Sequence, residues 1–260
     1  MLGALLMTTA AGLSTGIGGL VVLLCKRPTE RMLAFSLGFA GGVMITVSLS
    51  DMLPHAVSGY LEVMERPQAA GAALSLFLMG MVIAALLRRC LPEPRLENLA
   101  RPQGEKSARR LIQAARSAAV TTAVILMHNL PEGILTLFTG YASPDFGLGI
   151  SLAVALHNIP EGIAVSVPIY YATGSRLRGA ATALLSGFAE PAGALAAFFF
   201  LRRWISPLFL NGLVAIIAGI MSCVAACELL PGSFSYDADR AAGLGFAVGL
   251  VLMSLGVCLI

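Results

Sequence analysis

The stretch "MHNLPEGILT", residues 127–136, returns as "LHNIPEGIAV" at residues 156–165, so the pattern His-Asn-x-Pro-Glu-Gly occurs twice, 29 residues apart. Both copies lie in apolar runs, and only the short segment "GYASPDF" separates these runs. A histidine at position i and a glutamate at i+4 lie on one face of a helix, so each copy offers an imidazole and a carboxylate to one point in space. The repeat therefore predicts a site built on two neighbouring helices.

The composition is that of an integral membrane protein. Of the 260 residues, 57% are hydrophobic and 12% are charged, and the mean hydropathy is +0.85, whereas soluble domains average about 25% charged residues. The net charge of +3 is small, and the basic residues do not gather into a groove with interleaved aromatic side chains, so the sequence gives no support to a nucleic-acid partner and none is expected. The five cysteines form no CxxC pair and are expected to be small buried hydrophobic residues without disulfides. The N-terminal run "MLGALLMTTAAG" has no basic segment before it, so we expect it to remain as a membrane span.

Eight apolar stretches are long enough to cross a membrane as helices. A bilayer core needs about 20 mostly apolar residues per helix, and glycines inside these stretches favour close helix packing in lipid. The sequence therefore predicts an all-α membrane protein in which residues 1–260 form a single transmembrane domain. The predicted spans are 2–25, 32–53, 70–88, 117–139, 146–171, 178–201, 207–230 and 240–260.

The basic residues predict the orientation of these spans. Of the 17 Lys and Arg residues, 14 fall on one side of the predicted membrane, and Arg66, Arg202 and Arg203 fall on the other. By the positive-inside rule, both termini lie outside, and residues 89–116 form a cytoplasmic connection between the third and fourth spans. We expect a multi-pass protein of the inner, or plasma, membrane.

Several carboxylates lie inside predicted spans, whereas Lys and Arg occur only near the span ends. An ionised carboxylate in hydrocarbon is costly unless it is paired. The compensating charge is therefore expected to be a proton on each acid or a bound cation. Residue counting places Asp51 near the outer mouth, Glu190 halfway along its span and Glu228 near the inner mouth.

The repeated motif predicts a metal site near the membrane midplane, between the fourth and fifth helices. The proline in each copy is expected to kink its helix, and the following glycine, Gly133 or Gly162, to leave space beside the carboxylate. Antiparallel helices joined by a short loop pack as neighbours, which brings two imidazoles and two carboxylates together. Such ligands suit zinc or another first-row divalent metal. The predicted ligands are His128, Glu132, His157 and Glu161.

Other polar residues have two interpretations each. Asn129 and Asn158 point roughly 100° away from the adjacent histidines, where they either serve a second metal site with Glu190 or form interhelical hydrogen bonds. Asp51, His55 and Glu228 are either transport-pathway residues or interfacial residues. The spacing of Met44 indicates only core packing.

The chain resembles the ZIP (Zrt- and Irt-like protein) family of divalent-metal transporters, and within it the prokaryotic ZupT and GufA branches. The resemblance rests on the eight spans, the two HNxPEG motifs and "GFAEPAGAL" in the sixth span. It implies a binuclear site in which Asn129, Asn158 and Glu190 complete a second pocket that shares the two motif glutamates. It also implies that Met44 approaches the metal and that Glu228 lies on the release route. Residues 89–116 depart from many family members in containing no histidine, and Asp51 stands where similar proteins often have glutamate.

These features predict a carrier that brings Zn²⁺ into the cytoplasm, together with Fe²⁺, Mn²⁺, Co²⁺ or Cd²⁺ at lower discrimination. The metal is then the transported substrate, and neither a cofactor nor an enzymatic activity is expected. The alternatives are a membrane-embedded metal-dependent enzyme, which the absence of HExxH disfavours, and a non-transporting metal sensor. The sequence leaves open whether the carrier is a symporter or a uniporter and whether it works as a homodimer.

Overall fold

The computed structural model describes residues 1–90, 105–142, 144–201, 206–236 and 238–259. Within these ranges every regular element is helical, and eight helices are long and apolar enough to cross a membrane, as predicted. We label them α1–α8 in chain order. The bounds are α1, Leu2–Gly19 and Val21–Leu24; α2, Glu30–Thr46, Val47–Met52 and Leu53–Leu61; α3, Arg66–Cys90; α4, Glu105–Ala142; α5, Pro144–Thr173; α6, Arg176–Gly187, Ala189–Ala196 and Ala197–Leu201; α7, Pro207–Val224, Ala225–Leu229 and Leu230–Ser233; and α8, Asp239–Leu259.

Helix α4 begins earlier than the predicted start at residue 117. Residues 105–116 were expected to belong to a loop but are helical, and residues 91–104 of that predicted loop lie outside the described residues. The added turns bury Leu111 and Ala114. Because charged residues, among them Arg109, Arg110 and Arg116, flank these buried positions, a hydropathy window underestimates the length of the helix.

Helices α2 and α7 run past their predicted ends, at residues 53 and 230, and past a proline in each case. The segments Val47–Met52 and Ala225–Leu229 are π-helical and end two residues before Pro54 and Pro231, respectively. Proline lacks a backbone donor and usually disrupts a helix. A π-helical turn is wider than an α-helical turn and accommodates such a change in the hydrogen-bond ladder. Helices α4 and α5, by contrast, continue past Pro131, Pro160 and Pro168 without a π-helical segment.

The eight helices pack as two groups of four. Helices α1, α4, α5 and α6 contact one another extensively and form what we call the site bundle, because it carries both repeated motifs. Helices α2, α3, α7 and α8 form the flanking bundle, in which α2 packs along α8 and α3 packs along α7. The main contacts between the bundles join α2 to α5 and α4 to α7.

Glycine allows very close helix contacts inside both bundles. A Cβ atom added to Gly18 would lie 1.9 Å from the carbonyl oxygen of Ile159 in the site bundle. A Cβ added to Gly219 would lie 1.9 Å from the carbonyl oxygen of Phe77 in the flanking bundle. These separations confirm that glycine inside the spans serves helix packing.

Candidate metal site

The two repeated motifs face each other at the centre of the site bundle and pair crosswise. Nε2 of His128 lies 2.9 Å from Oε1 of Glu161, and Nε2 of His157 lies 3.2 Å from Oε1 of Glu132. All four side chains are buried. Each histidine thus hydrogen-bonds to the glutamate of the other motif and not to the glutamate one turn along its own helix.

The antiparallel order of α4 and α5 explains this crossed pairing. Along α4 the chain passes His128 and then Glu132, and along α5 it passes His157 and then Glu161 in the opposite direction. The four residues therefore stack as two layers, with one imidazole and one carboxylate in each. We call His157 and Glu132 the upper layer, and His128 and Glu161 the lower layer. The sequence predicts a counter-charge from outside the chain, whereas the structure also supplies an internal partner for each glutamate, the histidine of the other motif.

The glycines of the motifs do not leave open space beside the carboxylates, which corrects the sequence-based expectation. A Cβ added to Gly133 would lie 1.9 Å from the carbonyl oxygen of Glu190, and one added to Gly162 would lie 1.9 Å from that of Thr15. These glycines allow α4 to pack directly against α6 and α5 to pack directly against α1. They hold the site bundle together around the motifs, because no larger residue permits this approach.

The asparagines of the motifs connect the layers to neighbouring helices. Nδ2 of Asn158 donates a hydrogen bond to the buried Oε1 of Glu190 and another to the carbonyl oxygen of Ala11, at 3.0 Å. Nδ2 of Asn129 donates to the carbonyl oxygen of Ser186, at 3.1 Å. Both asparagines therefore form interhelical hydrogen bonds, and the structure brings Asn158 and Glu190 together next to the crossed pairs.

Several buried polar atoms of these residues have no hydrogen-bond partner within the described ranges. They are Oε2 of Glu132, Glu161 and Glu190, Oδ1 of Asn129 and Asn158, and Nδ1 of His128. Five of the six are oxygen acceptors, and an unsatisfied buried acceptor is normally explained by a water molecule or an ion. The oxygens that remain available are thus the type that binds a hard or borderline cation.

No three His, Cys, Asp or Glu side chains of the described residues are gathered so that they could hold a metal ion together. The crossed hydrogen bonds provide the physical reason, since in each layer the imidazole nitrogen and one carboxylate oxygen bind each other. A metal that takes these ligands must first separate each imidazole from its carboxylate.

A cavity of about 360 Å³ leads to the upper layer. Glu132 and His157 line it in the interior, and exposed polar residues also line it, one of them where α4 joins α5. Asp51 and His55, which were predicted for the transport pathway, are two of these exposed residues. The third is Asp145, which the sequence analysis did not select. The sequence feature that could have identified Asp145 is the spacing of four residues between Asp145, Gly149, Ala153 and His157 on α5.

The remaining predicted residues lie in the flanking bundle. Asp51 and Glu228 each occupy a π-helical segment, in α2 and α7 respectively. Both belong to the pattern acid-x-x-Pro, "DMLP" at 51–54 and "ELLP" at 228–231, which the sequence analysis also missed. Glu228 is half-buried, and Met44 is fully buried in the largest apolar core of the described residues. The structure does not show a role for either residue in metal transport.

Comparison with known proteins gives the family. A family model described as ZIP zinc transporter matches residues 95–256. A zinc transporter ZupT of Akkermansia muciniphila is 40% identical over 96% of this chain and 94% of its own length. The zinc transporters ZupT of Stenotrophomonas maltophilia and Corynebacterium glutamicum are 37% and 38% identical, over 98% and 100% of this chain and 95% and 99% of their own lengths. The chain belongs to the ZIP family.

Membership of the ZIP family confirms the resemblance inferred from the two motifs, including the likeness to ZupT proteins. ZIP proteins with these names are transporters, so the family also favours transport over the enzymatic alternative. Together with the eight apolar helices, it makes the chain a multi-pass membrane protein that handles divalent metal ions.

Proposed function

We propose that this ZIP protein carries Zn²⁺ into the cytoplasm through the two layers between α4 and α5. The single observation that supports this most strongly is the pair of crossed His–Glu contacts, surrounded by buried oxygens that have no hydrogen-bond partner among the described residues. The printed names of the relatives specify zinc. Imidazole and carboxylate ligands without a thiolate bind borderline divalent ions with weak selection, so we expect Fe²⁺, Mn²⁺, Co²⁺ and Cd²⁺ to be carried as well.

Binding of the metal is an exchange for protons in this proposal. A layer is electrically balanced when its histidine carries a proton and its glutamate is ionised. A dication needs deprotonated ligands and brings its own positive charge, so it releases protons as it binds. The hydrogen-bond partners His157 and Glu132, and then His128 and Glu161, become metal ligands.

A second metal position adjoins the first in this proposal. The contact of Asn158 with Glu190 lies beside the layers, and the free oxygens of both asparagines, of Glu190 and of the motif glutamates are available to a second ion. This supports a binuclear site that includes Asn129. Asp51 and His55 lie on the access side of the layers. Met44 and Glu228 are proposed, from the family resemblance, to approach the metal and to lie on the release route.

The direction of transport follows from the charge distribution. The positive-inside rule places the end where α4 joins α5 outside the cell, together with both termini. The cavity that reaches Glu132 and His157 opens at that end, so metal arrives from outside. In a bacterium the membrane concerned is the plasma membrane.

The flanking bundle offers apolar faces to lipid or to a second copy of the chain. Only 22% of the most apolar window of α3, and the same share of that of α8, is buried inside the structure. These faces leave room for the predicted homodimer, and mass photometry of the protein in lipid nanodiscs tests that prediction.

Zinc uptake into proteoliposomes tests the proposed function. His128→Ala and Glu161→Ala are each expected to abolish uptake, with melting temperatures that show a folded protein. Glu65→Ala is the matched control, because Glu65 is an exposed acid at the connection between α2 and α3 and does not line the cavity. Wild-type uptake by both site variants would contradict the proposal.

A further inference from the structure

One face of α5 connects the surface of the molecule with the upper layer. Asp145, Gly149, Ala153 and His157 follow one another at every fourth position and all line the same cavity. A helix rises about 1.5 Å per residue, so Asp145 and His157 are separated by about 18 Å along the axis. The two ligand-type side chains thus stand at the two ends of the cavity wall, with small residues between them.

The opposite wall comes mostly from the flanking bundle. Asp51, Met52 and His55 of α2 and Val214 of α7 line it. The cavity therefore lies between the two bundles, and carboxylates from both of them line it.

The interior end of the cavity holds a buried acceptor. Glu132 is 2% exposed, and its Oε2 has no hydrogen-bond partner among the described residues. His157, which is also buried, lines the cavity beside it. The polar groups near the exposed end therefore lead to a buried oxygen that is available to a cation, and this distinguishes the cavity from a merely acidic surface.

We infer that this cavity is the access route for the metal, that Asp145 is its outermost metal-attracting residue, and that Gly149 and Ala153 keep it open. This inference rests on the proposed function. It assigns roles to three residues outside the ligand sets derived above.

Asp145 acts through its charge. It lies in the first turn of α5, where the helix dipole places partial positive charge that repels a cation. A carboxylate at this position offsets that charge and makes the cavity mouth attractive to divalent cations, and Asp51 adds a second negative charge to the cavity lining. Charged residues at the mouth of a cleft raise the local concentration of an oppositely charged substrate.

Gly149 and Ala153 act through their size. Apart from the adjacent backbone of α5, a Cβ added to Gly149 would meet no atom of the described residues within 4 Å, so the space in front of this residue is open. A large side chain at Gly149 therefore has room to project into the cavity without displacing neighbouring backbone.

A blocking substitution tests the route. Gly149→Phe is expected to reduce zinc uptake into proteoliposomes at least about tenfold, at saturating as well as at low zinc, because the ring occupies the passage. Gly71→Phe is the matched control, since a Cβ on Gly71 also meets nothing within 4 Å and Gly71 does not line the cavity. Uptake by Gly149→Phe that equals uptake by Gly71→Phe would overturn the inference.

A charge substitution tests Asp145 without a risk to folding, because this residue is exposed. Asp145→Asn is expected to raise the KM for zinc by about threefold or more at low ionic strength, to leave the maximal rate unchanged, and to lose this effect in high salt. Glu62→Gln, at an exposed acid outside the cavity, should leave the KM unchanged. An unchanged KM in Asp145→Asn overturns its role.

The two proposals fail in distinguishable ways. If His128→Ala abolishes uptake while Gly149→Phe and Asp145→Asn transport like the wild type, the metal uses another route to the same site. If His128→Ala itself transports normally, the proposed function is wrong.

Discussion

At the scale of single residues, the pairing of each histidine with the glutamate of the other motif is the central feature of the molecule. Buried ion pairs are often no more stable than apolar packing of the same volume. Two such pairs inside a membrane bundle are therefore better explained by function than by stability. In the proposed function, their chemistry also couples metal binding to protons, since the same nitrogen and oxygen atoms would hold either.

Proton competition gives a prediction at this scale. Lowering the pH on the cavity side from about 7.5 to about 5.5 is expected to reduce zinc uptake, because histidine must be deprotonated to bind metal. Initial rates in proteoliposomes with the interior pH fixed measure this effect, and protein-free liposomes under the same gradient provide the control. Uptake that increases as the pH falls would contradict the exchange of metal for protons.

The sequence predicted that the four motif residues lie together, because imidazoles and carboxylates inside apolar spans are few, whereas their binding of metal stays a prediction. His128, Glu132, His157 and Glu161 were placed together, and the structure brings them together as two pairs. Asp145 was missed because it lies at the start of a helix, among residues that a hydropathy window assigns to a loop. The role of Asp145 depends on the residues that face it across the cavity, and the sequence alone does not reveal them.

At the scale of helices, the motif glycines are contact points between elements. Gly133 joins α4 to α6, and Gly162 joins α5 to α1. Considered one helix at a time, the sequence predicts open space at these positions. Predicting the contacts requires knowledge of which helix is adjacent, and the periodicity of one sequence does not provide it.

Replacing a motif glycine by alanine is expected to destabilise the packing of the helices. Gly133→Ala is expected to lower the stability by about 1–3 kcal/mol or more, because its methyl group would overlap a backbone oxygen that cannot move without displacing α6. Thermal unfolding in detergent measures the change. Gly71→Ala meets no neighbouring atom and should keep the wild-type melting temperature. Equal melting temperatures for the two variants would show that the close contact is absent.

The number of helices was predicted correctly, whereas several of their ends were not. Hydropathy reports the apolar segment that a membrane requires. It does not report turns that extend beyond that segment, as at Glu105–Ala142, or the π-helical segments that precede the prolines of α2 and α7. The acid-x-x-Pro pattern common to both helices is visible in the sequence, but its geometry is not.

At the scale of the whole molecule, the cavity and a set of polar contacts lie at opposite ends of the interface between the bundles. Glu30 of α2 accepts hydrogen bonds from Arg110 of α4 and from the hydroxyl of Tyr171 of α5, the latter at 3.3 Å. The ring of Tyr171 packs edge-to-face against that of Tyr236, which follows α7, with 6.0 Å between the ring centroids. These contacts hold the bundles together at the end remote from Asp145.

Loss of the Glu30 carboxylate is expected to loosen that end. Glu30→Gln removes the charge that binds Arg110, and exposed or half-exposed ion pairs of this kind contribute about 1 kcal/mol or less. Hydrogen–deuterium exchange should therefore accelerate in peptides from residues 105–116 and remain unchanged in peptides from α3. Glu65→Gln, an exposed acid at the other end, is the control. Unaltered exchange in residues 105–116 of Glu30→Gln would show that the contact does not restrain α4.

The division into two bundles could not be predicted from one sequence. Glycine occurs in all eight helices, so its distribution does not reveal which of them pack together. The short connection between α4 and α5 identified one neighbouring pair. The neighbours of α1 and α6 became apparent only in the structure.

Locating zinc directly tests the central claim most sharply. Anomalous diffraction at the zinc edge, from crystals of the zinc-loaded protein, should show a peak between α4 and α5 at about 2.0–2.2 Å from nitrogen or oxygen atoms of His128, Glu132, His157 and Glu161, with both crossed hydrogen bonds broken. A zinc-loaded protein in which the peak lies elsewhere, and in which His128 still binds Glu161 and His157 still binds Glu132, would contradict it.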